Sequence, residues 1–350
     1  MEIRYEIKKL LSFKILLAIL LLLLINGFVS YNNRFIAEEI DLKIYRTYMD
    51  KLTGEYSEEG YNWISNRVQH YEDIMSVCEE KADAYISHNL SREDYQAYLD
   101  EYNEATIQSD TARYILNKYE EHMMYDNKGV LFFDFNADYY IKNKSGINYI
   151  LVLMLIILLV PFICNDEKKE VAYMIKTTKN GRKNIRVRKT FLGIIISGII
   201  SSVFLIEDFF VSLLTTDFGD MSYVIHSIDG MEEFPYAISI KKYVALTMIL
   251  RLIFYIMLSC IIMGIALLIN NIYWSGVVVV MILLLPEMIK EKLTDIYQYT
   301  FNIGLSTYDD ANLIMQDGNI TRLCIITLGF LVLSVIFVII SNAYRIKYTD

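Results

Sequence analysis

Three charged residues stand where charges are disfavoured. Arg251 lies inside the apolar stretch 243–268, and Glu207 and Asp208 lie side by side in the stretch that begins at Thr190. A charge held in hydrocarbon costs about 3 kcal/mol or more unless it is paired or meets water. The chemistry open to these residue types is therefore an intramembrane ion pair, Arg251 with Glu207 or Asp208. The alternative is that the two acids mark the end of a span while Arg251 snorkels towards the interface. Little else in the apolar stretches is reactive: they hold almost no further His, Asp or Glu, and no nucleophile–base pair. The four His are isolated and no CxxC or HxxxH spacing occurs, so neither a metal nor a cofactor is expected. A GxxxxGKS/T phosphate loop is absent as well, and the chain is expected to be non-catalytic.

A second constellation occupies residues 165–189, within FICNDEKKEVAYMIKTTKNGRKNIRVRKT. It starts acidic, with Asp166 and Glu167. A short helix is expected next, with Glu170 at its start and Val171, Met174 and Ile175 on one apolar face. Thr177-Thr178 and a turn at Asn180-Gly181 follow. Arg182, Lys183, Arg186, Arg188 and Lys189 then lead into the next span. A helix held flat between two spans can dock into a partner, while basic residues hold it against anionic membrane lipid. By charge alone this is an ordinary positive-inside loop. The order of its parts says more.

That order resembles the loop between the second and third spans of ATP-binding-cassette (ABC) permeases of the bacterial type-2 exporter kind. There an acidic residue, an apolar helix, a Thr-Thr or Ser-Thr pair, a Gly-Arg turn and a Lys follow one another. Here Glu167 (or Asp166), Thr177-Thr178, Gly181-Arg182 and Lys189 take those places. Glu170 departs from the pattern, since relatives often carry Gly there. The resemblance implies a coupling helix that inserts into a separate ABC ATPase subunit, with Glu167, Glu170, Val171, Met174, Ile175, Thr178, Gly181 and Arg182 at the contact. It also implies a second permease half, either a copy of this chain or a different one.

A set of membrane spans must position these residues. Of the 350 residues, 54% are hydrophobic, and they fall in blocks of about 17–25, the length that crosses about 30 Å of hydrocarbon. The expected fold is an all-α polytopic membrane protein. Its six transmembrane helices lie near 15–29, 147–164, 190–206 (or on to 214), 243–268, 272–285 and 323–340. Ile3, Ile7, Leu10 and Leu11 form one face of an amphipathic helix, so 1–30 reads as that helix plus an uncleaved first span. The fifth span is expected to stop at Pro286, before a polar stretch with Glu287, Lys290, Glu291 and Lys292.

The net charge of −9 is unevenly placed. Residues 31–146 hold 23 Asp+Glu against 12 Lys+Arg, so the rest of the chain is slightly basic. An acidic domain repels phosphates, and no nucleic-acid partner is expected. Residues 1–14, 165–189 and the C-terminal tail carry 15 Lys+Arg, against 5 in 215–242 and 287–322. The positive-inside rule then puts both termini and the 165–189 loop in the cytoplasm, and the resemblance to bacterial exporters implies a bacterial plasma membrane. Residues 31–146 become a mainly helical extracytoplasmic domain between spans 1 and 2, and 147–350 the membrane domain with spans 2–6. Helices are expected over 37–52, 61–89 and 92–125, with a capping box at Ser91 and Asp94. The GVLFFDFNADYY segment reads as strand-like. The domain holds 15 of the 28 tyrosines, read first as an aromatic core and second as a surface for a peptide or glycan.

The first functional reading is a permease that exports a peptide, a lipid-linked molecule or a drug, driven by ATP hydrolysis on another chain. The second is a membrane receptor, sensor or accessory protein whose acidic outer domain binds an extracellular ligand. Against it, the inner side offers only short segments as output. A membrane enzyme is the third reading, and it lacks reactive residues in the spans.

Overall fold

The computed structural model describes residues 12–32, 40–86, 91–125, 129–134, 137–138, 140–141, 147–164, 181–215, 218–232, 234–289 and 320–348, with the backbone alone at 84, 86, 122–125, 181–185, 215, 283–289, 320–326 and 345–348. In chain order the elements are α1 (Phe13–Asn32), α2 (Leu42–Leu52), β1 (Gly54–Glu55), α3 (Glu58–Ile86), α4 (Arg92–Tyr125), β2 (Val130–Leu131), α5 (Tyr149–Cys164), α6 (Gly181–Thr215), α7 (Ile240–Ile269), α8 (Ile272–Ile289) and α9 (Ile320–Tyr348). The chain divides into two compact units. A membrane unit comprises Met1–Arg34, Ile141–Thr215 and Val244–Asp350, and a polar unit comprises Phe35–Tyr140 and Thr216–Tyr243.

Among the described residues four helical stretches are long and apolar enough to cross a bilayer: Phe13–Asn32, Arg186–Leu214, Ile240–Ile269 and Thr327–Tyr344. Tyr149–Cys164 and Ile272–Ile282 are shorter apolar helices. With no water to satisfy backbone groups in hydrocarbon, such segments must be helical. The chain is thus a mainly helical, polytopic membrane protein. Leu24, Phe191 and Leu333 are more than half exposed, as side chains facing lipid should be. The fifth apolar stretch departs from expectation: α8 continues through Pro286 to Ile289. Proline there forfeits one hydrogen bond, a loss that membrane helices tolerate better than soluble ones.

Contacts fix how the helices run. Asn148 meets Tyr255 and Cys164 meets Ala266, so α5 and α7 are parallel. Cys260 meets Ser334 and Gly264 meets Phe337, so α9 runs with them. Gly193 meets Met263 and Gly198 meets Ile256, so α6 runs against them. Leu151, Leu155, Leu158, Phe204, Phe254, Met263 and Ala266, all buried, form the middle of this bundle.

In the polar unit α3 and α4 form an antiparallel hairpin. Glu72 pairs with Arg113, Glu79 meets Tyr102, and Tyr85 stacks on Tyr95 at 4.3 Å. The Ser91 cap closes on Asp94: the Asp94 N–H donates to Ser91 Oγ at 3.2 Å, and the hydroxyl donates to Asp94 Oδ2 at 2.6 Å. Tyr45, Tyr48, Met49, Ile64, Ile115 and Tyr119 make the core at the hairpin's other end, with α2 laid across it. Among the described residues of GVLFFDFNADYY, strand pairing is confined to Val130–Leu131, which pair antiparallel with Gly54–Glu55. Residues 218–243 belong to this unit too. They bury Ile225, Ile228, Met231 and Phe234. The Val130 N–H donates to Ser227 Oγ at 2.8 Å, which fastens that segment to β2. Gly219 adopts φ +64°, and a Cβ there would lie 2.3 Å from the Phe133 carbonyl oxygen, so only glycine suits this crossing.

Candidate functional site

One set of polar residues in the membrane unit meets near one end of the bundle. Asn26 and Ser30, one turn apart on α1, are both buried. Asn26 Nδ2 donates to Glu207 Oε2 at 3.0 Å, and the Ser30 hydroxyl donates to Asp208 Oδ1. Asn148 continues the chain of bonds. Its Nδ2 donates to Asn26 Oδ1 at 2.8 Å, its Oδ1 caps α5 by accepting the Leu151 N–H at 3.0 Å, and its own N–H donates to Tyr255 Oη at 2.9 Å. The Arg251 guanidinium is hydrogen-bonded to that same phenol, and the phenol also lies within electrostatic range of Asp208. Four helices, α1, α5, α6 and α7, thus meet through side chains that would each be costly to leave unmet in hydrocarbon.

Arg251, Glu207 and Asp208, singled out in the sequence, therefore belong to one cluster. Arg251 and Asp208 are each 5% exposed and Glu207 is half-buried. The partners that the sequence reading missed are Asn26, Ser30, Asn148 and Tyr255. A signal existed for the first two: they stand four apart inside the apolar run LLLLINGFVS.

The coupling-loop candidates Glu167, Glu170, Val171, Met174, Ile175 and Thr178 lie outside the described residues. Gly181 and Arg182 are in the first turn of α6, described by backbone alone. The end of that loop is firmly held. Lys189, 2% exposed, donates to the Phe162 carbonyl at 3.5 Å and sits 5.0 Å from the centre of the Phe162 ring. Its ammonium so meets a carbonyl left over at the C-terminus of α5. Next to it Thr190 Oγ1 accepts from Asn342 Nδ2 at 2.9 Å, which joins α6 to α9.

The polar unit holds a different chemistry. Lys118 and Asp134 form a buried ion pair, and Tyr45 Oη donates to the other Asp134 oxygen at 2.7 Å. Burial disfavours the Lys118 ammonium, but Asp134 and the flanking Tyr45 and Tyr114 outweigh it and hold its pKa well above the ordinary value. Burial, then the Asp134 charge, pushes the Tyr45 phenol well up. Lys118 borders a small cavity of ≈ 10 Å³, room for a single water-sized group. Its other walls are Tyr56, Glu121, His226, Ser227, Asp229 and Glu232. The carboxylates of Glu121, Asp229 and Glu232 approach within 4.8 Å of one another, a donor set of the type that hard cations take. Burial, then Asp229 and Glu232, raises the Glu121 pKa. More than a hundred residues separate Glu121 from the other two, so no local spacing announces this cluster.

No protein-family model, curated protein or solved structure matches this chain.

Proposed function

We propose that the chain is the membrane-spanning permease subunit of an ABC transporter, exporting a peptide, a lipid-linked molecule or a drug. ATP hydrolysis falls to a separate subunit, and a second permease half completes the assembly. The observation that carries this reading is the buried polar cluster joining α1, α5, α6 and α7 inside a polytopic bundle. A passive anchor has no use for polar groups that must be matched across four helices in hydrocarbon. The order of residues in the 165–189 loop supports it further, with Glu167, Thr178, Gly181 and Arg182 in the places of the coupling motif. In this reading the bundle has six spans in a bacterial plasma membrane, both termini are cytoplasmic, and the acidic polar unit is extracytoplasmic.

Co-purification tests it. An ATPase subunit should be recovered with the full-length chain from native membranes. It should be lost from a Val171→Asp/Ile175→Asp variant that still reaches the membrane fraction. Recovery of the ATPase with that variant would count against the coupling helix, and absence of any ATPase from the unaltered chain would count against the whole reading.

The cavity beside Glu121, Asp229 and Glu232 favours a second reading, a receptor whose outer unit binds a cationic group. Ligand binding by the full-length chain with no ATPase attached would select it.

A further inference from the structure

Small polar side chains run along the inward side of α6. Thr190, Ser197, Ser201, Asp208 and Ser212 recur at intervals of seven and four, and all are buried. Those spacings keep them on one helix face, which meets α9 at Thr190 and α1 at Asp208. α9 carries Thr327, Ser334 and Ser341, seven apart and likewise buried. The Asn342–Thr190 hydrogen bond joins the two helices at one end of this seam.

Most of these hydroxyls are satisfied by their own helix. Ser197 donates to the Ile194 carbonyl, Ser212 to Asp208, Ser334 to Leu331 and Ser341 to Phe337. Such back-bonding is how serine is accommodated in a membrane helix. Two residues break the pattern. Ser201 is 0% exposed and Thr327 4%, and neither hydroxyl has a hydrogen-bond partner among the described residues. A buried hydroxyl left unmet costs about 1–3 kcal/mol, and hydrocarbon supplies nothing in exchange.

Their depths agree. Ser201 lies 11 residues from Thr190 and Thr327 lies 15 from Asn342. At the helical rise these are ~16 Å and ~22 Å from the same hydrogen bond. Because α6 and α9 are antiparallel, the two hydroxyls lie at depths that differ by about one turn along the bundle. Between them and the Thr190–Asn342 end lie Ser197 and the hydrogen-bonded Ser334 and Cys260. Beyond them, on α6, lies Asp208 with its Ser30 partner.

We propose that the α6–α9 seam is hydrated: water molecules lie along it between the Thr190–Asn342 end and the Asp208 cluster, held by the Ser201 and Thr327 hydroxyls. The seam gives the cluster a polar route to the opposite face of the bundle. This goes beyond the transport reading and does not rest on it, since the hydroxyls need water whether or not an ATPase binds.

Cysteine reactivity tests the seam in the full-length protein in its membrane. Cys78, Cys164, Cys260 and Cys324 are first changed to Ala. Ser201→Cys and Thr327→Cys are then treated with a small polar methanethiosulfonate, which needs a hydrated thiolate. Ile199→Cys serves as the dry reference, because Ile199 is 58% exposed on the lipid-facing side of α6. Both seam positions should react faster than Ile199→Cys by on the order of tenfold or more. Equal rates overturn the proposal. If a cysteine variant fails to reach the membrane, Ser201→Ala and Thr327→Val decide. Loss of a hydrated hydroxyl lowers the melting temperature, whereas loss of a dry, unmet one raises it and overturns the proposal.

Discussion

Glu207 and Asp208 are neighbours in sequence, and each accepts from a different residue of α1. Glu207 takes the Asn26 amide and Asp208 takes the Ser30 hydroxyl, while Arg251 takes the Tyr255 phenol. Neutral donors reduce the penalty of removing a carboxylate from water without cancelling its charge. The cluster thus has reason to keep Arg251 near the two acids. Arg251→Glu alone and Glu207→Arg alone should each destabilise the protein by about 3 kcal/mol. The double change Arg251→Glu/Glu207→Arg should recover part of that loss in thermal unfolding. A double variant no better than either single one would reject a direct coupling. In the polar unit the equivalent problem is solved differently, by a formal ion pair of Lys118 with Asp134 and a second bond from Tyr45. A buried carboxylate with both oxygens engaged meets most of its hydrogen-bonding need within the protein.

At the scale of helices, two glycines set how closely the bundle packs. An added Cβ at Gly264 of α7 would meet the Phe337 ring of α9 at 2.4 Å, and one at Gly193 of α6 would meet Met263 Sδ at 2.6 Å. The distances are similar and the consequences are not. A thioether has three soft torsions and can swing aside, whereas a phenyl ring wedged between helices cannot. Gly264→Ala should therefore destabilise by about 1–3 kcal/mol and Gly193→Ala by clearly less, as read from melting temperatures in detergent. Phe337→Leu should rescue Gly264→Ala. The helix ends were easier to foresee than this packing. Ser91 and Asp94 gave the start of α4, and the Pro286 prediction failed because a single missing N–H does not end a helix that hydrocarbon enforces.

The whole molecule is assembled from stretches far apart in the chain. The polar unit gathers Phe35–Tyr140 with Thr216–Tyr243, across two intervening apolar helices. Glu121 comes from the first stretch, Asp229 and Glu232 from the second, so their like charges act across this junction. Burial and those two acids raise the Glu121 pKa above its ordinary 4.5, so the folded chain binds that proton more tightly than the unfolded one. The resulting penalty is full above the folded titration point and vanishes below pH 4.5. Glu121→Gln should raise the melting temperature at pH 7 by about 1–3 °C, and the gain should disappear as the pH falls to that value. A gain that persisted in acid would show that charge is not its source.

Much was determined by the sequence alone. Runs of Leu, Ile and Val of bilayer length fix membrane helices because unpaired backbone groups cannot survive in hydrocarbon. The same local physics marked α3 and α4, whose amphipathic periods and caps need no distant partner. It also flagged Arg251, Glu207 and Asp208, since a charge in an apolar run is conspicuous whatever surrounds it. Only the tertiary structure decided what those charges meet. Asn26, Ser30, Asn148 and Tyr255 are ordinary residues until three other helices bring them together, and hydrogen bonds spanning more than a hundred residues leave no periodic trace. The same holds for residues 218–243, short enough to read as a plain loop, whose isoleucines and aromatics have a core to enter only because β2 and the residues that follow it supply one.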